Sequence, residues 1–130
     1  VAYEARKAEI TLALELVGRS HARTGQDILD LIEAVGSPWV GAYFDWGNSL
    51  TLGGDPLRDI HLLGSRIAQV HAKDPGGDLL GRGKVDIKGC VEALKQAGYR
   101  GYFVLETPST DDPDAAARHN LGYLRDLHGE

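Results

Sequence analysis

Apolar segments alternate along the chain with segments in which apolar side chains recur every three or four positions. The apolar segments, which predict four strands, are residues 10–15, 40–45, 67–74 and 101–106. The segments with helical spacing, each opened by a Thr or Asp cap, are residues 24–36, 55–64, 86–98 and 112–127. Strands that alternate with helices at this rhythm predict consecutive βα units on a parallel sheet.

Side-chain alternation gives the predicted sheet two different faces. One face is wholly apolar, as expected where helices cover a sheet: Leu12, Leu14, Ala42, Phe44, Val70, Ala72, Phe103 and Leu105. The other face carries polar side chains at the strand ends: Glu15, Asp45, His71 and Glu106. A face of this kind suits the inside of a βα barrel better than a doubly wound sheet. In such barrels, the chemistry lies at the carboxyl ends of the strands.

The length of the chain limits how much of a barrel it can form. A full βα barrel has eight units and needs about 250 residues, with about 200 as the usual lower limit. Four units in 130 residues predict an α/β domain that is half of a TIM (β/α)8 barrel. We expect one half-barrel domain over residues 1–130, with residues 1–8 as the end of a preceding helix. The chain then begins in mid-domain, and a fragment, a truncated gene and a natural half barrel remain open.

Composition excludes several classes of function. The formal net charge is −5, and Lys and Arg are scattered, which argues against a nucleic-acid-binding surface. No apolar run approaches the ~18 residues of a membrane span. Cys90 is the only cysteine, which excludes an internal disulfide and a cysteine-rich zinc site. The first residues lack the apolar core of a signal peptide, so a cytoplasmic location is expected.

The four polar strand ends form a candidate metal site. Glu15, Asp45, His71 and Glu106 come from successive βα units and share one face of the sheet. Three carboxylates and one imidazole are a plausible ligand set for one divalent ion. Ligation rich in oxygen favours Mn²⁺, Mg²⁺ or Co²⁺ over Zn²⁺. The alternative is a set of unrelated polar side chains at strand ends.

Five motifs carry a resemblance to a known family: residues 12–15 (LALE), 44–48 (FDWGN), 70–74 (VHAKD), 80–86 (LGRGKVD) and 98–106 (GYRGYFVLE). In order and spacing they resemble the carboxyl-terminal half of the xylose isomerase-like TIM barrel family. That family contains sugar and sugar-phosphate isomerases and epimerases. The resemblance implies that Glu15, Asp45, His71 and Glu106 are metal ligands. It further implies that Glu15 and Glu106 are the catalytic pair, moving a proton on opposite faces of a sugar through a metal-stabilised enediolate.

Four further residues are candidate contacts to the substrate. Lys73 either neutralises charge on a substrate oxygen or phosphate, or pairs with Asp74. Asn48 stands where many members of the family have a histidine, so it can hydrogen-bond a sugar hydroxyl but cannot shuttle protons. Trp46 is either an apolar wall for the sugar or a packing residue. Arg82 lies between two glycines and is either a phosphate contact or part of a plain loop.

Residues and resemblance together predict a divalent-metal-dependent sugar or sugar-phosphate isomerase or epimerase. Two alternatives remain open: a polyol or keto-acid dehydratase of the same superfamily, and a truncated half barrel that binds metal without turnover. Apurinic-site endonucleases of the superfamily are excluded because they need several additional histidines and a basic surface. The expected partners are a small sugar or sugar phosphate and either a second copy that closes the barrel or a missing amino-terminal half. No nucleic acid or membrane partner is expected.

Overall fold

The computed structural model describes residues 1–77, 79–107 and 110–129 of the chain. Its strands are β1 (Leu12–Glu15), β2 (Val40–Asp45), β3 (Ile67–Ala72) and β4 (Phe103–Leu105). Its helices are α1 (Ala2–Ala8), α2 (Gly25–Val35), α3 (Trp46–Thr51), α4 (Pro56–Leu63), α5 (Ile87–Gln96) and α6 (Pro113–His128). A 3₁₀ turn over Gly64–Arg66 leads from α4 into β3.

The four strands form one parallel sheet in the order β1-β2-β3-β4. In the register between β2 and β3, Asp45 lies beside His71. The backbone N–H of Glu106 donates to Ala72 O at 3.1 Å, which extends the ladder one residue beyond β4. Helices connect each strand to the next, so the chain forms an open half barrel. The α/β fold with four βα units that the sequence predicts is confirmed.

Side-chain caps define where the helices begin. Before α2, Thr24 Oγ1 accepts a hydrogen bond from Asp27 N, and the Asp27 carboxylate accepts one from Thr24 N at 2.9 Å. This reciprocal pair satisfies two N–H groups that a helix start leaves without partners. Aspartates cap the later helices by accepting hydrogen bonds from backbone N–H groups of the first turn: Asp55 at α4, Asp86 at α5 and Asp112 at α6.

The hydrophobic core lies between the sheet and the helices. The central strands contribute side chains that are at most 1 % exposed: Ala42, Phe44, Val70 and Ala72. Helix side chains that pack onto them include Ile28, Ile32, Ile60 and Leu94, all buried. The outer strands have one neighbour each, so their core-facing residues are only half-buried: Leu12, Leu14, Phe103 and Leu105. The predicted apolar, helix-covered face is therefore confirmed.

The opposite face of the sheet is open. Ala13 on β1 is exposed, and Tyr102, immediately before β4, is 84 % exposed. In the middle of the face, Gln69 Nε2 donates to Tyr43 Oη at 3.3 Å, and both side chains are half-buried. This face leads up to the polar strand ends at the carboxyl edge.

The elements differ from the predicted ones mainly at their ends and in one additional helix. The outer strands are shorter than predicted, and β3 ends at Ala72 instead of residue 74. Helix α3 follows β2 directly, because the Asp45 side chain accepts a hydrogen bond from Asn48 N at 2.8 Å. Six residues are too few to show a helical repeat of apolar positions, so the pattern misses this helix. Among the described residues, no helix is both long and apolar enough to span a bilayer.

Candidate metal centre

The four polar strand ends meet at the carboxyl edge of the sheet. Glu15, Asp45, His71 and Glu106 each offer one ligand atom, and these atoms all lie within 4.8 Å of one another. Parallel pairing explains the convergence, because it aligns the carboxyl ends of all four strands. The structure therefore brings together the four residues that the sequence predicts as ligands.

His71 turns one ring nitrogen toward the three carboxylates. Its Nδ1 lies 3.1 Å from Glu15 Oε1, 3.4 Å from Glu106 Oε2 and 3.7 Å from Asp45 Oδ2. On the inner face of the sheet, the Tyr43 ring packs against the imidazole, with the ring centroids 4.1 Å apart. This ring contact helps to fix the orientation of the His71 imidazole.

Asp45 is the buried member of the cluster. Its Oδ1 accepts the hydrogen bond that caps α3. Its Oδ2 pairs with the Lys73 ammonium, whose Nζ lies 2.9 Å away. Burial raises the pKa of Asp45, and the Asn48 N–H and the Lys73 ammonium offset only part of that effect.

The donor set fits a divalent cation. Asp45 Oδ2 is buried and already faces one positive charge, the Lys73 ammonium at 2.9 Å, so this position favours a cation. Three carboxylates and one imidazole within a few ångströms are the donors expected of Mn²⁺ or a similar ion.

Lys73 lies between two of the carboxylates. Its Nζ is 2.9 Å from Asp45 Oδ2 and 3.1 Å from Glu106 Oε2. Burial alone would lower the pKa of Lys73, but the interactions with both carboxylates outweigh it and raise that pKa. Burial alone would raise the pKa of Glu106, but the hydrogen bond and the charge of Lys73, together with His71 and Asp45, outweigh it and lower that pKa. Lys73 is thus an integral part of the cluster.

The alternative pair between Lys73 and Asp74 does not form. Asp74 is buried, and its carboxylate accepts hydrogen bonds from Gly81 N at 3.2 Å and Val85 N at 3.0 Å. A Cβ at Gly83 would lie 2.4 Å from Asp74 Oδ1, so glycine is needed for this close approach. Asp74 therefore organises the loop between β3 and α5, a role that the sequence reasoning missed.

Asn120 fastens the same loop to α6 and is the second residue that the sequence reasoning missed. Its buried Oδ1 accepts from Leu80 N at 2.9 Å, and its Nδ2 donates to Thr107 Oγ1 at 2.8 Å. Thr107 follows Glu106 directly, so this bridge also anchors the segment after β4. Leu80 is 40 positions away in the sequence, and no local pattern marks the pair.

Asn48 touches the cluster from the side. Its Nδ2 donates to Leu16 O at 3.0 Å and to Glu15 Oε1 at 3.5 Å. The amide is therefore already engaged with the chain and holds Glu15 in place. Its predicted contact with a sugar hydroxyl stays a prediction.

Trp46 and Arg82 lie outside the four-ligand cluster. Trp46 is fully buried, and its Nε1 donates to Lys73 O at 2.8 Å, a position that favours packing over contact with a sugar. Arg82 is exposed, and its backbone N–H donates to Leu79 O at 2.9 Å in a turn. Its predicted contact with a phosphate stays a prediction.

Comparison with protein families and curated proteins shows what the chain is similar to. The sequence model described as "Xylose isomerase-like TIM barrel" matches residues 1–127. An L-ribulose-5-phosphate 3-epimerase from Escherichia coli is 30 % identical over 118 residues, covering 87 % of this chain and 42 % of that protein. A putative L-ribulose-5-phosphate 3-epimerase from Shigella dysenteriae is 32 % identical with the same coverage. The chain spans less than half the length of these curated relatives.

Solved structures share the fold of the chain. A D-allulose 3-epimerase from a Methylomonas species, solved in complex with D-allulose, matches with a TM-score of 0.89 and 24 % identity, covering 97 % of this chain and 51 % of that chain. An L-ribulose 3-epimerase structure matches with the same TM-score and identity, covering 97 % of this chain and 50 % of that chain. The four βα units correspond to half of each matched chain.

Proposed function

This chain belongs to the xylose isomerase-like TIM barrel family, and we propose that it contributes a one-metal site to the epimerisation or isomerisation of a sugar or sugar phosphate. The observation that carries the proposal is the convergence of Glu15, Asp45, His71 and Glu106 at the carboxyl ends of four parallel strands. The relatives named as epimerases of L-ribulose 5-phosphate, L-ribulose and D-allulose support a small ketose or ketose phosphate as substrate.

All four side chains act as ligands in this proposal. Ligation by three carboxylates and one imidazole favours Mn²⁺, Mg²⁺ or Co²⁺ over Zn²⁺. When bound, such an ion polarises the carbonyl and neighbouring hydroxyl oxygens of a sugar and stabilises the negative charge of an enediolate.

Glu15 and Glu106 are the proposed catalytic pair. They enter the cluster from β1 and from the end of β4, the two outermost strands of the sheet. One carboxylate removes the proton from the carbon next to the carbonyl, and the other returns a proton on the opposite face, which inverts that carbon. Return of the proton to the neighbouring carbon instead gives aldose–ketose isomerisation. The lowered pKa of Glu106 supports its ionised, proton-accepting form at neutral pH.

The neighbouring polar groups have supporting roles. Lys73 holds the Glu106 carboxylate at 3.1 Å, and Asn48 holds Glu15 through its amide. In the proposal, the exposed Arg82 remains the candidate contact for a phosphate, and Asn48 the candidate contact for a sugar hydroxyl.

The open inner face needs a second half barrel to enclose a substrate. The chain corresponds to half of the matched structures, and among the residues that the structure describes, β1 and β4 each have a neighbouring strand on one side only. We propose that either a second copy of the chain or an amino-terminal half completes the barrel. The competing proposal, a half barrel that binds metal without turnover, is favoured by the same open face.

Deuterium incorporation tests the proposed reaction. The chain is incubated in D₂O with Mn²⁺ and a panel of ketoses and ketose phosphates, and NMR then detects deuterium next to the carbonyl. We expect exchange in the wild type, none in Glu106→Gln, and wild-type exchange in Glu92→Gln, which changes an exposed glutamate on α5. Absence of exchange across the panel, with metal bound, contradicts the enzymatic proposal and favours the non-catalytic half barrel.

A further inference from the structure

Lys73 Nζ contacts two of the carboxylate oxygens that would bind a divalent ion. We propose that the Lys73 ammonium neutralises the carboxylates when no metal is bound and competes with a metal ion for them. Lys73 therefore stabilises the metal-free cluster and lowers its affinity for metal. The inference rests on the proposed metal site and goes beyond it, because it concerns a residue that is not a ligand. Its basis is geometric, since Nζ lies 2.9 Å from Asp45 Oδ2 and 3.1 Å from Glu106 Oε2.

The oxygens that contact Lys73 also face His71. Asp45 Oδ2 and Glu106 Oε2 lie 3.7 Å and 3.4 Å from His71 Nδ1, on the side where the four ligand atoms converge. An ion held by these atoms would therefore share two oxygens with the ammonium group. Two cations on the same oxygens repel each other strongly when they are partly shielded from water.

The side chain of Lys73 is built into this position. The backbone carbonyl oxygen of Lys73 accepts a hydrogen bond from the buried Trp46 indole N–H at 2.8 Å. A Cβ at Gly47 would lie 2.7 Å from Lys73 Cγ and 3.0 Å from Lys73 O, so glycine leaves the space that the lysine stem occupies. The side chain is 19 % exposed, unlike a mobile surface lysine. The first turn of α3 therefore holds the ammonium at the cluster.

Charge balance gives the direction of the effect. Without Lys73, three carboxylates converge with no fixed cation between them, and their mutual repulsion destabilises the metal-free chain. With an ion bound, the ion neutralises the carboxylates, and Lys73 adds repulsion toward the ion. Lys73 therefore stabilises the metal-free form more than the metal-bound form. Its removal is expected to tighten metal binding and to weaken the metal-free fold.

Calorimetric titration with Mn²⁺ and thermal melting in EDTA test the inference together. In Lys73→Met, we expect Mn²⁺ to bind at least tenfold more tightly than in the wild type, and the melting temperature in EDTA to fall. Lys73→Arg keeps the charge and should bind Mn²⁺ within about threefold of the wild type. Lys7→Met removes the same charge from an exposed position on α1, before β1 begins, and should change neither quantity.

The remaining outcomes separate this inference from the proposed function. If Lys73→Met folds only in the presence of Mn²⁺, the inference is supported, because the metal then replaces the missing cation. Equal or weaker Mn²⁺ binding by Lys73→Met, with normal binding by the wild type, overturns the inference and leaves the metal site intact. Absence of Mn²⁺ binding by the wild type removes the metal site and the inference with it.

Discussion

The four proposed ligands differ in the solvent exposure of their side chains. The exposed fraction of the side chain is 0 % for Asp45, 17 % for His71, 32 % for Glu15 and 47 % for Glu106. Asp45 caps α3 with one oxygen and faces the cluster with the other, which suits a fixed ligand. The more exposed glutamates at the two ends of the sheet are the ones that a substrate can reach. The proposed assignment of Asp45 as a fixed ligand and of the two glutamates as the catalytic pair therefore agrees with their difference in burial.

Cys90 offers a test at the scale of a single residue. Its side chain is fully buried on α5, and burial raises the pKa of the thiol to about 12. At pH 8, only about one thiol in ten thousand is then a thiolate, the form that reacts. We expect no reaction of the native chain with Ellman's reagent at pH 8 and one equivalent after unfolding in guanidinium. Rapid reaction of the native chain would show that Cys90 is accessible and that the packing around α5 is wrong.

Replacement of Asn120 by alanine tests the bridge between α6 and the β3–α5 loop. The substitution leaves the buried N–H of Leu80 without its acceptor and Thr107 without its donor. An unsatisfied buried polar group costs about 1–3 kcal/mol, so the free energy of unfolding should fall by about that amount. Urea denaturation followed by circular dichroism measures the change. Arg118→Ala, an exposed position on the same helix, serves as the control, and an equal loss in both variants would contradict the bridge.

The four residues of the candidate metal site could be predicted from the sequence, whereas Asp74 and Asn120, which organise the neighbouring loop, could not. Each of the four stands at the end of an apolar segment: Glu15, Asp45, His71 and Glu106. Parallel pairing of the strands brings such positions together. Asp74 acts through hydrogen bonds from two backbone N–H groups of its loop, and Asn120 acts through hydrogen bonds to Leu80 and Thr107. No periodicity marks such a partner, because the contact depends on how α6 and the loop pack.

At the scale of the elements, the caps were the most reliable local signals. The sequence predicts helix starts at Thr24, Asp55, Asp86 and Asp112. Each of these side chains accepts a hydrogen bond from a backbone N–H in the first turn of its helix. The outer strands were predicted too long, because β1 and β4 lose their partners on one side and pair over only a few residues. Helix α3 was missed because it depends on the single cap provided by Asp45.

The capping box of α2 provides a stability test. Thr24→Ala removes the acceptor for Asp27 N and should lower the free energy of unfolding by about 1 kcal/mol.

Hydrogen bonds from Arg23 N and from Thr24 lower the pKa of Asp27. A lowered carboxyl pKa stabilises the fold above the unfolded value of about 3.9, and that contribution is lost as the pH falls through the folded pKa.

Denaturation of Asp27→Asn at several pH values checks that dependence. We expect this variant to be less stable than the wild type at pH 7. The difference should shrink as the pH falls below about 4, where the unfolded chain takes up the proton first, and then through the lowered pKa of folded Asp27. A difference that stays constant down to pH 2 would show that the carboxylate charge does not contribute to the cap.

At the scale of the whole molecule, the open face of the sheet and its outer strands β1 and β4 are the features that indicate association with another chain. Within the described part of the chain, β1 and β4 each pair with a strand on one side only, and Tyr102 is exposed beside β4. Free edges of this kind invite pairing with another chain, and a two-fold axis along the barrel axis would place β1 of one copy beside β4 of the other. Eight parallel strands with both clusters at one mouth would result.

Light scattering tests this association. We expect the chain at low micromolar concentration to scatter as a dimer, and Tyr102→Glu to shift it toward the monomer by placing a charge on the open face. A stable, well-folded species of 14.0 kDa would show that the half barrel needs no second copy. Circular dichroism of the same samples separates a folded monomer from an unfolded one.

The most direct test of the account is the binding of Mn²⁺ to the four strand ends. Titration calorimetry on protein freed of metal with EDTA gives the stoichiometry and the affinity. We expect one ion for each chain, with binding abolished in His71→Ala and retained in His61→Ala, which alters an exposed histidine on α4. Binding that persists unchanged in His71→Ala would contradict the proposed metal centre.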